Sequence, residues 1–388
     1  MLVIGGSVAG LMAGCLLHRA GWEVAVFERA LGDLTGRGAG LGVSEELVQV
    51  MERAGARFEP SAGVVQRSMA WIGRDGRLAF EHPRFMVASA WARVYQPLRE
   101  SLPARLYRQG MTLEGIEQAE GAVTALFADG SRENGALLVA ADGALSTVRR
   151  QYLPAVQPQF ANYLAWRGLV AEERLPRSTV EAVAGHIVFC FPEGEMLLCM
   201  RVPGPNLYFI WYRSLESRPL ANYFTDASGR NHGVSIPPPL IRPELIEEMK
   251  ARALALLPES ISVVVQQAAQ PLLQAITDME SPRLVFGRVA LAGDAAFVVR
   301  PHVAGGAGKA ALDAACLADS LRAGDIDAGL AAYESNQRDF GSRIVQHSRY
   351  LGADLEGRPT ERDPRRIIRD YGAPKLLHEV DPTRFAAG

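Results

Sequence analysis

The sequence predicts an α/β fold in which a doubly wound parallel sheet is joined to a second domain built on a mixed antiparallel sheet. Three observations carry this. A short apolar strand at Met1-Leu2-Val3-Ile4 runs into a glycine turn, a helix and a second strand ending at Glu28, a complete βαβ unit. Between Tyr163 and Arg213 lie aromatic-rich extended runs, the pattern of an antiparallel sheet. A later buried strand, Arg288 to Ala292, ends at Gly293-Asp294 and is followed by a glycine-rich turn and a long apolar helix.

At 388 residues the chain is long enough for two or three domains with a sizeable core. Apolar residues make up 48% and charged ones 22%, the composition of a globular protein, and no run reaches the length that spans a bilayer. The 41 basic and 43 acidic residues leave a formal charge of -2, which offers no footprint for nucleic acid or an anionic membrane. Small molecules are the expected partners. Cys15, Cys190, Cys199 and Cys316 lie far apart without a Cys-x-x-Cys pair, so neither a disulfide framework nor a metal site is expected. Met1 runs directly into apolar residues and glycines, unlike a secretory leader, and the expected compartment is the cytoplasm.

Each element has its own signal. The first helix is predicted from Val8 to Ala20, where Gly21 stops it, and Val24 to Phe27 resumes extended structure. Met69 to Phe80 reads as a hairpin around Gly73 and Asp75-Gly76, and a second hairpin turns at Asp129-Gly130. Leu137 to Ala140 is a buried strand ending at Asp142-Gly143. Helices are predicted from Pro243 to Leu257 and from about Gly306 to Leu321, and apolar periodicity fades after Leu355.

Three constellations carry chemistry. In Gly5-Gly6-Ser7-Val8-Ala9-Gly10, Gly5 permits the tight turn, Gly10 lets helix and strand pack closely, and the helix start stabilises a pyrophosphate. Ser7 replaces the usual middle glycine and adds a hydroxyl donor. Glu28 would accept hydrogen bonds from adenosine ribose hydroxyls and disfavours a 2′-phosphate, which excludes NADP as the dinucleotide held here. The second constellation, Ala140-Ala141-Asp142-Gly143-Ala144-Leu145-Ser146-Thr147-Val148-Arg149, follows a buried strand. The third runs from Gly293-Asp294 through Arg300-Pro301-His302 to Gly305-Gly306-Ala307-Gly308-Lys309.

With these motifs in order, the chain resembles the p-hydroxybenzoate hydroxylase-like, class A flavoprotein monooxygenases. Tyr163 to Gly168, Asn206 to Tyr212 and Arg300-Pro301-His302 resemble the 2,6-dihydroxypyridine hydroxylase branch, over roughly residues 1 to 350. The resemblance implies a Rossmann-like FAD-binding domain and non-covalent FAD, with NADH or NADPH as transient electron donor. It also implies O2 and a small hydroxylated aromatic or N-heteroaromatic substrate, hydroxylated by way of a flavin C4a-hydroperoxide. Asp142 is implied in FAD binding, and Asp294 would bond the ribityl chain. The N-H groups of Gly305, Gly306, Ala307 and Gly308 would face the flavin pyrimidine edge, where a helix start stabilises the charge of the reduced ring. Pro301 would shape the site beside the flavin, and His302 would be a general base or a structural histidine. The sequence departs from relatives at Phe297 (often His), Gly308 (often Asn) and Tyr95 (often an Arg that reaches the phosphates), so Arg29 or Arg37 is expected to meet the phosphate charge.

The FAD-binding domain is expected over 1–68, 92–155 and 276–340, the substrate domain over 69–91 and 156–275, and a C-terminal helical segment over 341–388. Two alternatives stay open: an FAD-dependent oxidoreductase acting on a larger polyketide or prenyl chain, and a non-catalytic flavin-binding protein. The Trp-x-Trp-x-Ile-Pro motif of halogenases is absent, and a second βαβ fingerprint, as a dehydrogenase needs, is missing. Oligomeric state is open between monomer and homodimer.

Overall fold

The computed structural model describes residues 1–34, 40–192, 194–215, 218–356, 363–372, 376–379 and 381. One layer is a six-stranded sheet in the order Val285–Phe286, Val289–Leu291, Leu138–Ala140, Leu2–Ile4, Ala25–Glu28, Tyr107–Gln109. All its pairings are parallel except the edge pair of Val285–Phe286 with Val289–Leu291. Leu2 pairs with both Ala25 and Leu138, so three residues fill the central position of the sheet. The central strands Leu2–Ile4 and Leu138–Ala140 are short and wholly apolar because helices cover them. The helix Val8–Arg19 and the alanine-rich helix Gly306–Ser320 pack against each other, their small residues permitting close approach.

The second layer is a ten-stranded sheet, with nine strands in the order Ser235–Ile236, Leu272–Glu280, Gln159–Ala171, Asn206–Ser214, Glu195–Val202, His186–Cys190, Gly63–Ile72, Leu78–Ala90, Gly40–Val43. Phe297–Val298 adds to Leu272–Glu280 off this path. It is antiparallel throughout except where His186–Cys190 runs parallel to Gly63–Ile72. Alternation gives it two apolar faces. Leu164, Trp166, Leu197, Phe209 and Trp211 lie on one, beneath the helices Pro243–Leu256 and Glu259–Gln267. Tyr163, Ala165, Leu198, Tyr208, Ile210 and Tyr212 lie on the other, in one cluster with Ala304 and with Leu355, Ile367, Ile368 and Tyr371 near the C-terminus. A three-stranded meander, Leu113–Ala119, Ala122–Phe127 and Arg132–Gly135, contains the hairpin expected at Asp129-Gly130.

The domain boundaries differ from expectation. Gly40–Val43, inside 1–68, and Gly63–Ile72, which crosses the expected boundary at 68/69, both belong to the large sheet, because their partners are supplied by Leu78–Ala90 and His186–Cys190. Strand Leu272–Glu280 and helix Ile326–Gly352 each run across an expected boundary, at 275/276 and 340/341. The described residues beyond 352 pack onto the large sheet through Leu355, Ile367, Ile368 and Tyr371. Among the described residues no helix is long and apolar enough to cross a membrane.

Candidate FAD and substrate site

The glycine turn is built by backbone contact. Gly5 has φ +99°, and a Cβ there would lie 2.2 Å from the Ala141 carbonyl oxygen. A Cβ on Gly10 would lie 1.8 Å from the Gly5 oxygen, so helix and strand touch main chain to main chain. Ser7 caps the helix Val8–Arg19 by position without a side-chain cap bond, and the first turn holds no acidic residue. Hydroxyl and helix dipole are both left for an anion.

Glu28 is buried at the strand end. Its Oε2 accepts from the Gly6 N-H at 2.8 Å and its Oε1 from the Ala30 N-H at 2.9 Å. Each carboxylate oxygen keeps a further acceptor site, which suits the paired hydroxyls of a ribose. Replacing Glu28 by Ala removes charge-assisted bonds worth about 1.5–3 kcal/mol, so FAD affinity is expected to fall roughly ten- to hundredfold. Titration of the apoprotein with FAD measures this; an unchanged affinity would make Glu28 a strand-end residue only.

Of the expected phosphate-binding side chains, Arg29 is exposed beside Glu28 and Arg37 lies outside the described residues. Tyr95 is buried, stacked on Trp91 at 4.6 Å, and brings no charge. One turn further along its helix, Arg99 lies 4.2 Å over the ring of Tyr107, whose hydroxyl donates to the Gly6 carbonyl at 3.0 Å. Arg99 and Tyr107 thus stand beside the turn, and no sequence signal singled them out, since both come from outside the βαβ unit.

Asp142 holds its own turn with one oxygen. Oδ2 accepts from the Thr147 and Val148 N-H groups at 2.8 and 3.3 Å, while the buried Oδ1 has no hydrogen-bond partner among the described residues. Burial raises its pKa, opposed by the bonds from Ser146, Val148 and Thr147. An orphaned acceptor at this point matches the hydroxyl-rich chain of a flavin nucleotide. Arg149 ties the segment down, donating to the carbonyls of Ala144, Ala295 and Val156.

Asp294 is solvent-exposed, yet enclosed enough that desolvation raises its carboxyl above the usual range; Lys309 opposes and Asp313 adds to this. Behind it the Lys309 Nζ donates to the Gly293 carbonyl at 2.6 Å and meets the Asp313 Oδ2 at 2.6 Å, and that same oxygen accepts from the Gly293 N-H at 2.8 Å. The helix Gly306–Ser320 opens at Gly305 with no side-chain cap and no acid in its first turn, so the N-H groups from Gly306 to Gly308 face outward unmasked. A Cβ at Gly308 would meet the Ser44 hydroxyl at 2.6 Å, which explains why an Asn is not accommodated there. Glu28, Asp142 and Asp294, with two uncapped helix starts, therefore suit FAD along its length.

Pro301–Val303 is one turn of 3-10 helix followed by Ala304 in the left-handed region, φ +47°. His302 is wholly buried, its Nε2 is 2.7 Å from the Tyr163 hydroxyl, and its ring lies 4.3 Å from that of Tyr212. The residue expected as a base or a structural histidine is thus buried between Tyr163 and Tyr212. Beside it, Arg300 is held by Asp278 at 2.7 Å and Glu356 at 2.6 Å.

Known proteins give this geometry a context. A family profile described as FAD binding domain-like matches residues 160–278, which here form most of the large-sheet domain. The 2,6-dihydroxypyridine 3-monooxygenase of Paenarthrobacter nicotinovorans is 28% identical over 363 residues, 91% of each chain. The solved structure of 2,6-dihydroxypyridine-3-hydroxylase from Arthrobacter nicotinovorans superposes with a TM-score of 0.89 at 27% identity, covering 98% of this chain and 97% of that one. A salicylate hydroxylase substrate complex superposes with a TM-score of 0.77 at 25% identity, covering 95% and 92%.

Proposed function

We propose that this chain, an FAD-dependent monooxygenase related to the class A aromatic hydroxylases, hydroxylates a small hydroxylated aromatic or N-heteroaromatic ring of the dihydroxypyridine type. The observation that carries the reading is the small cavity between the cofactor loop and the large sheet. It lies against Ala304, with Leu41, Met86, Ile187, Leu198 and Tyr371 among its walls. Its apolar lining beside the cofactor loop suits the face of an aromatic ring.

Bound FAD would take electrons from NADH or NADPH and supply the oxygen chemistry. The chain's own residues bind and orient. Glu28 takes the ribose, Ser7 and the first helix start take the pyrophosphate, and Arg29 adds positive charge. Asp142 and Asp294 meet the ribityl hydroxyls, and the N-H groups from Gly305 to Gly308 face the pyrimidine edge. Pro301 fixes the loop between cofactor and ring, and His302 holds Tyr163 in place behind it. The apolar sheet face excludes water, which protects the reaction from side hydrolysis. Because the donor is an intracellular reductant and the four cysteines are free, we place the enzyme in the cytoplasm, as monomer or homodimer.

The test is NAD(P)H oxidation by FAD-loaded protein against hydroxypyridines, hydroxybenzoates and simple phenols. A substrate is expected to accelerate oxidation, consume O2 and give a product heavier by one oxygen, with hydroxypyridines ahead of benzoates. Acid precipitation should release the FAD. Oxygenation of a large polyketide ring alone would overturn the small-ring reading.

A further inference from the structure

Strand Leu78–Ala90 pairs with Gly40–Val43 only through residues 87–90, and its preceding part faces residues 376–379 across a gap. Three spaces follow one another through this gap. The outer one, about 340 Å³, lies between His82, Arg84, Phe85, Arg369 and Glu379, with Phe85 and Arg369 exposed to solvent. It shares Arg84, Phe85 and Glu379 with a second space of about 40 Å³. The second shares Gly42, Met86 and Ala304 with the apolar cavity beside the cofactor loop. Together they trace one path from solvent to that cavity. Its throat of about 40 Å³ has room for a few waters and not for a ring, so a ring passes only when residues 376–379 move.

Those residues are held differently on their two sides. On one, Glu379 forms a β-bridge with Ser44, and the His378 carbonyl accepts from the Glu45 N-H at 3.0 Å. The Glu46 Oε1 accepts from the His378 N-H at 2.8 Å and lies 2.7 Å from its Nδ1. All of these partners stand at the start of the helix Glu45–Arg53, with Ser44 as its N-cap. Leu377 is buried beneath, its Cδ1 2.5 Å from where a Cβ on Gly305 would lie. Across the gap the contact is an ion pair of side chains, the Arg84 Nε donating to the Glu379 Oε1 at 2.5 Å. Glu379 is 41% exposed, so solvent and salt weaken this pair, and it opens more readily than the backbone bonds opposite. Opening frees the Arg84 guanidinium at the throat, with His82 and Arg369 around the same outer space. Such a site attracts a negatively charged oxygen.

We propose that the substrate ring enters between strand Leu78–Ala90 and residues 376–379, with the Arg84–Glu379 ion pair as the latch. A ring bearing an anionic oxygen exchanges with the Glu379 carboxylate on Arg84, which makes Arg84 a selector of anionic rings. This rests on the ring-hydroxylating reading above. Arg84 stands at the throat rather than at the cofactor loop, so it acts on entry and not on the oxygenation step.

The test is stopped-flow binding of salicylate, 2,6-dihydroxypyridine and phenol to FAD-loaded protein, followed by flavin absorbance. Acrylamide quenching of flavin fluorescence is a second readout that needs no substrate. Glu379→Gln is expected to speed phenol binding roughly two- to fivefold, what losing an exposed ion pair does to an open–closed equilibrium, and to raise quenching with it. Salt should speed phenol binding to wild type by screening the pair, and leave Glu379→Gln unchanged. Arg84→Met opens the same latch but removes the charge, so phenol should gain while salicylate loses, and Arg84→Lys should restore salicylate. Were Arg84→Met to fold poorly, Glu379→Gln decides, since its exposed side chain is dispensable for folding. If each ring binds wild type and Glu379→Gln at one rate with equal quenching, the latch falls and the ring reading stands. If no ring binds either protein but quenching rises in Glu379→Gln, the ring reading falls and the latch stands. No ring binding and no change in quenching would sink both.

Discussion

Gly10→Ala is expected to abolish FAD retention and to lower the melting temperature by roughly 5–10 °C, the consequence of losing about 3 kcal/mol. The new methyl would sit 1.8 Å from the Gly5 carbonyl oxygen, and neither partner can move alone. Gly5 is pinned by its N-H to the Phe27 carbonyl at 2.8 Å and lies as close to the Ala141 carbonyl as its missing side chain allows. Relief therefore requires the helix Val8–Arg19 to lift from the sheet, which carries its N-H groups away from the pyrophosphate. Gly143→Ala is the control. Its φ is +82° but nothing lies within 4 Å of a new Cβ, so only backbone strain of about 1 kcal/mol is added. FAD content and thermal melts compare the two; a Gly10→Ala protein that stays yellow with a melt within about 2 °C of wild type would refute the packing argument.

Lys309→Met is expected to cost about 3–5 kcal/mol, because it strands the Asp313 carboxylate, itself wholly buried. Lys309 and Asp313 grip the Gly293 peptide from both sides, by its carbonyl and by its N-H, and so hold the Asp294 turn against the second helix. The double variant Lys309→Met/Asp313→Leu should recover much of the stability, since no charge is left buried. It should not recover FAD affinity, because the Gly293 N-H has lost its acceptor. The loss is also pH-dependent. Burial raises the Asp313 pKa and Lys309 opposes that, so the single variant leaves the folded carboxyl further above its unfolded value of about 3.9. Such a group binds more protons folded than unfolded, and stability falls as pH rises above the unfolded pKa. The melting deficit of Lys309→Met should accordingly narrow between pH 7.5 and pH 5; a deficit unchanged or widening on acidification would show that Asp313 is not the stranded charge.

Where a feature depends on residues close in sequence, it was legible beforehand. The helix expected from Val8 to Ala20 is Val8–Arg19, and that expected from Pro243 to Leu257 is Pro243–Leu256. The dinucleotide turn was legible down to Glu28, since tight turn, helix start and acid follow at fixed spacing along one βαβ unit. The strand Gly40–Val43 and the first part of Gly63–Ile72, up to residue 68, were not legible as parts of the second domain. Their partners lie up to 118 residues away, and only pairing decides which sheet they join.

The candidate site divides the same way. By itself the sequence determined a cofactor class, through local motifs whose glycines and acids must sit where backbone meets phosphate and ribose. It also determined that Trp211 and Tyr212 point to opposite faces, because a strand alternates. Only the tertiary structure decided which faces which: Trp211 lies under the helices, and Tyr212 turns toward the cofactor loop with Tyr208 and Arg167. It likewise decided that His302 is bonded to Tyr163, 139 residues away in the chain, and that Arg99 rather than Tyr95 brings a charge to the glycine turn. Backbone geometry is set by neighbours in sequence, whereas a side chain's burial and its charge partner are set by whatever distant strand or helix the fold packs against it.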